Sequence, residues 1–189
     1  MTVFHGDTIA AVASPPGRSP RAIIRVSGPD ARAVAADLCA IPGFTRAVLP
    51  AVLGLPAACP IEGLPAHLPL PVLALTFPAP NSFTGEDTLE LLLPGNPHLV
   101  RRALDAILAL PGVRLAEPGE FSARAYLNGR LTLEQAEGIA QRIAAETADQ
   151  LAAADALMDG SHAARLRAHA DALTTCLALV EAGVDFSDQ

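Results

Sequence analysis

Lysine is missing from this 189-residue chain: all thirteen basic residues are arginine, set against twenty acidic ones for a net charge of −7. A negative body with scattered guanidinium groups is poorly suited to gripping a phosphate backbone, so most affinity for any nucleic acid has to come from elsewhere. Cysteine is scarce. Cys39, Cys59 and Cys176 are odd in number and far apart, with no CxxC pair and no histidine at ligand spacing. Free, mostly buried thiols in a reducing compartment are expected, and a structural zinc site is not. Long apolar runs are absent too: the stretches 47–60 and 63–77 are broken by prolines well short of the roughly 20 residues that a membrane span needs. The opening MTVFHGDT has no basic segment followed by an apolar one, so no secretory signal is read there and a cytoplasmic protein is expected. No GxxxxGKS/T, HExxH or GxSxG pattern occurs, so no GTP or metal site is expected in this chain. His5, His67, His98, His162 and His169 fall in proline-rich or helical surroundings without an evident partner.

What is present is apolar residue in quantity: 51% of the chain is hydrophobic, enough for a sizeable core. To about residue 130, short β-like runs mix with helices. Residues 8–13 and 22–27 read as strands separated by the turn Ser14-Pro15-Pro16-Gly17-Arg18-Ser19-Pro20. Residues 29–39 read as a helix with Ala33, Ala36 and Leu38 on its apolar side. The proline-rich stretch 41–70 holds one poorly defined strand near Val52. Residues 72–77 and 87–93 are better strand candidates, joined by a loop over 78–85. Pro97 opens a helix that Leu99, Leu104, Ile107 and Leu108 support and Pro111-Gly112 ends. This irregular alternation favours an α+β fold over a doubly wound sheet.

From Leu131 the character changes, giving a first domain over 1–130 and a second over 131–189. Thr132 and Gln135 form a capping-box pattern, and Ala136, Ile139, Ile143, Leu151, Ala154 and Leu157 keep to one face at helical spacing. Asp159-Gly160 breaks the run, and a second helix carries Leu166, Leu173, Leu177 and Val180 on one side. A helical hairpin is expected, with apolar faces that a second copy or another polypeptide must cover.

Three residues invite chemistry. In Thr88-Leu89-Glu90-Leu91 the two leucines of a strand point one way and Glu90 the other. That carboxylate either faces solvent or accepts two parallel N–H donors, such as those on the pyrimidinone edge of a pterin. Arg25 lies amid apolar residues in Ile23-Ile24-Arg25-Val26-Ser27, where a cation needs a partner: ligand oxygens, or an acid such as Glu90. PGEFSARAYLNGR, 118–130, reads as a turn, a short helix and a second turn. Gly129 tolerates a positive φ and presents Arg130 either to a ligand or as an ordinary helix-end cation.

The order and wording of these blocks are more specific than any one of them. DTIAAVASPPGR at 7–18, IIRVSG at 23–28, NSFTGED-x-LEL at 81–91, PGEFSARAYLNGR at 118–130, LTLEQAEGIA at 131–140 and VEAGVDF at 180–186 together resemble the MnmE (TrmE) family of tRNA-modification GTPases. The resemblance implies a tetrahydrofolate-binding domain related to those of aminomethyltransferases, followed by the start of a helical domain. It implies a homodimer holding 5-formyltetrahydrofolate, and a role in C5 modification of the wobble uridine of tRNA. The family's partner is MnmG, a flavin-dependent protein. Carried onto matching positions, the cofactor-binding residues are Arg25, Glu90 and Arg130, the last standing where the family usually has lysine. No residue is assigned a catalytic role, and an autonomous aminomethyltransferase-like enzyme would need an acid facing the folate that the sequence does not offer.

Two turns depart from the family pattern. Ser19-Pro20-Arg21 replaces a Gly-Gly pair after Arg18, and Leu92-Leu93-Pro94-Gly95-Asn96-Pro97 replaces a His-Gly-Gly stretch after LEL. Losing glycine from a turn restricts φ and narrows any close approach to a ligand. An alternative function follows: a relic or regulatory protein that no longer binds folate but keeps the dimer surface and pairs with full-length MnmE.

Overall fold

Branched and small residues punctuated by proline and glycine build a six-stranded sheet within the first 130 residues. The computed structural model describes residues 6–56 and 67–185, which divide between Arg130 and Leu131 into a sheet unit and a helical unit. His5, Cys59 and Phe186 lie outside the described residues.

The sheet unit contains β1 (Thr8–Val12), β2 (Ser19–Ser27), β3 (Ala47–Pro56), β4 (His67–Phe77), β5 (Thr88–Gly95) and β6 (Val113–Leu115), in the order β3-β4-β5-β2-β1-β6. Neighbours are antiparallel except β1 and β6. Two helices, α1 (Ala31–Cys39) and α2 (Pro97–Leu108), share a core with the strands: Val34, Ala35, Ala103 and Ile107 join Ile24, Val26, Leu53, Leu89 and Leu91. Each fully buried Leu or Ile there contributes about 1.5–3 kcal/mol. Strand alternation aims the intervening residues at the opposite face, where rows run across the sheet as Leu75–Glu90–Arg25–Ala11 and Phe77–Thr88–Ser27–Ile9. A third helix, α3 (Glu120–Leu127), follows β6.

The α+β class matches the expectation, while several details differ. The helix expected from residue 29 starts at Ala31, because Gly28-Pro29-Asp30 is spent on a turn in which Asp30 engages the Thr8 hydroxyl. Its buried side is Ala31, Val34, Ala35 and Cys39; Ala33 and Ala36 are exposed. The stripe is rotated from the expected one because Val34 and Cys39 seek the core and carry Ala31 and Ala35 with them, leaving Leu38 half-buried at the edge. The ill-defined strand near Val52 is a full ten-residue partner of β4. β6, at three residues, has too little pattern to be read in advance. For α2, Pro97 does open the helix, with Asn96 Oδ1 accepting from the His98 and Leu99 amides at 2.9 and 3.4 Å. Cys39 is buried, which pushes its thiol up to about 11, whereas Cys176 is exposed rather than buried as expected.

The helical unit corrects the expected hairpin. Its first arm is two helices, α4 (Leu133–Ala144) and α5 (Ala148–Met158), before α6 (Ser161–Asp185). Ala145 turns extended, and Thr147 starts a second capping box with Gln150 beside the one at Thr132 and Gln135. The break explains why Ile143, placed on the apolar face by spacing, is 82% exposed. Buried Gly138 lets α5 approach closely: a Cβ there would lie 3.0 Å from the Ala154 carbonyl oxygen and 2.8 Å from Met158 Cγ. Leu166, Leu173, Leu177 and Val180 of α6 are exposed. No helix among the described residues is long and apolar enough to cross a membrane.

Candidate functional site

Registry places Arg25 directly across from Glu90 in the antiparallel β2–β5 pair. Arg25 Nε donates to Glu90 Oε1 at 2.7 Å, with side-chain exposures of 27% and 17%. The pair is neither buried nor free in water, a setting in which charged groups keep hydrogen-bonding power without the full desolvation penalty. Among the described residues, Glu90 Oε2 and the two terminal nitrogens of Arg25 take no other hydrogen bond. The guanidinium carbon of Arg25 lies 5.4 Å from the Phe83 ring centroid and 5.6 Å from that of Phe121, within cation–π range. A flat, polar heterocycle is the chemistry this suits: donors for the carboxylate, acceptors for the guanidinium, and rings alongside.

The two phenylalanines come from the loop before β5 and from α3, and hydrogen bonds of neighbouring residues hold both segments. Within the loop, Ser82 Oγ donates to the Glu86 carbonyl at 2.5 Å, and Asp87 Oδ1 accepts from the Ala79 amide at 2.8 Å. Arg32 pairs with Asp87 and holds its carboxyl below the ordinary carboxylate value. Glu86 accepts from Ser27 Oγ at 2.7 Å and from Arg124 Nη1 at 3.2 Å. Arg124, 1% exposed, also donates to the Asp7 carbonyl at 2.9 Å, to Asp7 Oδ1 at 2.6 Å and to Glu120 Oε1 at 3.1 Å. Arg114 closes the network onto Asp7 and Glu120. The β1 end, the loop and α3 are thereby tied into one frame around the pair.

Arg130 is not part of the Arg25–Glu90 pair. It follows the second turn of the LNGR segment, where Gly129 takes a φ of 67°, and it is exposed. Asn128 Nδ2 donates to the Thr84 carbonyl at 2.7 Å, anchoring that turn to the loop. Gly85, at a φ of 80°, has no side chain to push Arg130 away: a Cβ there would lie 3.2 Å from Arg130 Cγ. Arg130 thus lines a cavity of about 290 Å³ together with Arg46, Phe77, Asn81, Ser82 and Phe83. Phe83 is the wall shared by cavity and ion pair.

The two departures in the turns meet each other away from this cavity. Ser19 pairs with Gly95, five residues along β5 from Glu90, whereas Phe77, a wall of the cavity, pairs with Thr88 at its other end. A Cβ at Gly95 would sit 2.2 Å from Ser19 Oγ, so glycine is required there. A separate hollow of about 380 Å³ between the 14–17 turn and α2 is lined mainly by apolar groups, and its one cation, Arg101, is engaged with Asp105. Among the described residues no three His, Cys, Asp or Glu side chains gather as metal ligands.

Residues 8–130 match the family described as GTP-binding protein TrmE N-terminus. The chain belongs to that family. The match spans Arg25, Glu90, Arg130, the loop and α3, and it makes this an MnmE-like tRNA-modification module. Reading the TrmE blocks alone misses Phe83, Phe121, Arg46 and the Arg124 frame. Phe83 and Phe121 do sit inside the NSFTGED and PGEFSARAYLNGR blocks, and that was the available signal.

Proposed function

We propose that this chain holds a formyl-tetrahydrofolate and dimerises in the service of C5 modification of the wobble uridine in tRNA. The observation that carries the reading is the Arg25–Glu90 pair on the open sheet face, flanked by Phe83 and Phe121. Glu90 accepts the N–H donors of the pteridine's pyrimidinone edge, Arg25 meets its carbonyl oxygen, and Arg130 meets the anionic end. The cofactor supplies the one-carbon unit; the chain's residues bind and orient it, and none serves as nucleophile or proton shuttle. The base itself and a flavin-dependent MnmG-like partner complete the system, in the cytoplasm, with tRNA contacted mainly through other parts.

Calorimetric titration with 5-formyltetrahydrofolate tests this. Saturable binding is expected, weakened about 10- to 100-fold in Glu90→Ala, which removes a hydrogen bond to a charged group. One observation favours a second reading, a non-binding relic that retains the dimer surface: Ser19-Pro20 replaces flexible glycine and locks against Gly95. Absence of heat at millimolar ligand would select the relic.

A further inference from the structure

The 290 Å³ cavity holds more positive charge than one carboxylate group requires. Arg46 reaches it from the segment just before β3, and Arg130 reaches it from just after α3. The Arg46 guanidinium carbon lies 6.0 Å from the centroid of Phe77, another wall residue. Among the described residues neither Arg46 nor Arg130 takes a salt bridge or a side-chain hydrogen bond. In a chain with twenty acidic residues and a net charge of −7, two arginines facing one hollow without an acid between them form an anion site.

Resting on the folate reading above, we propose that this cavity receives the cofactor's carboxylate tail and that Arg46 selects folates carrying several γ-linked glutamates over those carrying one. The sheet rows give the path. Phe77 pairs with Thr88, one row beyond the Leu75–Glu90–Arg25 row, a step of roughly 7 Å at the ordinary strand rise. Phe83 spans the step, touching Arg25 on one side and the cavity on the other. A ligand with its flat polar head on Arg25 and Glu90 runs its aryl middle past Phe83 and delivers its carboxylates between the two arginines. Arg130, fixed against Gly85, takes those of the first glutamate. Each further glutamate adds one carboxylate, and Arg46 is the cation left to meet it. Both arginines are exposed, so the preference is modest and screened by salt.

Calorimetry on the full chain with the monoglutamate and the triglutamate of 5-formyltetrahydrofolate tests this. The triglutamate is expected to bind about fivefold tighter at low salt, with the gap closing toward 0.5 M salt. Arg46→Gln, an exposed substitution that spares the core, is expected to remove the preference. Equal affinity for the two ligands in the native chain would overturn the tail site and leave the folate reading standing. A preference that persists in Arg46→Gln would overturn the role of Arg46. Failure of both ligands to bind would overturn the folate reading and this inference with it.

Discussion

Arg124 is the bulkiest fully buried side chain among the described residues, and it carries a charge. Such a cation is tolerated only when its surroundings supply acceptors, and Asp7, Glu86 and Glu120 do so at 2.6 to 3.2 Å. Burial alone would raise the carboxyls of Asp7 and Glu120. Hydrogen bonds from Arg114 and Arg124, joined at Glu120 by the Glu117 amide, outweigh it and hold both below their ordinary values of 3.8 and 4.5. A carboxyl depressed in the folded state takes up protons more readily once unfolded. The stability it contributes is therefore complete above the unfolded value and drains as pH falls through the folded one. Melting followed by circular dichroism from pH 7 to pH 3 should show Tm level down to about pH 4.5 and falling below it, at up to about 1.4 kcal/mol per pH unit for each proton bound. Glu120→Gln should start lower and respond less to acid. A native Tm that stays flat to pH 3 would remove the network from the stability account.

At the scale of elements, the α4–α5 contact is the most demanding on sequence, because Gly138 leaves no room beneath the Ala154 backbone. Gly138→Val should cost about 1–3 kcal/mol despite valine's better helix propensity, the backbone clash outweighing the gain. Hydrogen exchange over residues 133–158 would then quicken by roughly tenfold or more, and unchanged protection would show that the helices part without cost. Elements of this kind differ in how plainly the sequence announces them. Strands β2 and β5 were readable because each alternates around one charged residue, and that alternation also pointed Arg25 and Glu90 away from the core. The break at Ala145 was missed although Thr147 and Gln150 repeat the pattern seen at Thr132 and Gln135; an apolar stripe that skips across it mimics one continuous helix. The rotated face of α1 shows that counting alanines says little about which side is buried. Only the Glu120 contact of the Arg124 frame, four residues back on α3, had a local signature; Asp7 lies 117 residues away and Glu86 lies 38. Charge pairing at such separations leaves no period to detect, so the residues that steady the Arg25–Glu90 pair were invisible while the two partners themselves were not.

For the whole molecule, the open apolar side is on α6, where Leu166, Leu173, Leu177 and Val180 are 56%, 70%, 58% and 62% exposed. The dimer proposed above would cover this side with a second copy related by twofold symmetry. Multi-angle light scattering should report a dimer at micromolar concentration; a stable monomer under the same conditions would count decisively against self-association. The frame that joins β1 to α3 also bears on how the chain is made. Synthesis releases Asp7 near the start of the sheet unit and Arg124 close to its end. On the ribosome, the early carboxylates stay solvated and uncommitted until the counter-ion emerges, and β1 awaits its parallel neighbour β6 over the same interval. The face that carries Arg25 and Glu90 is therefore framed late, so the folate binding proposed above would await nearly the whole sheet unit.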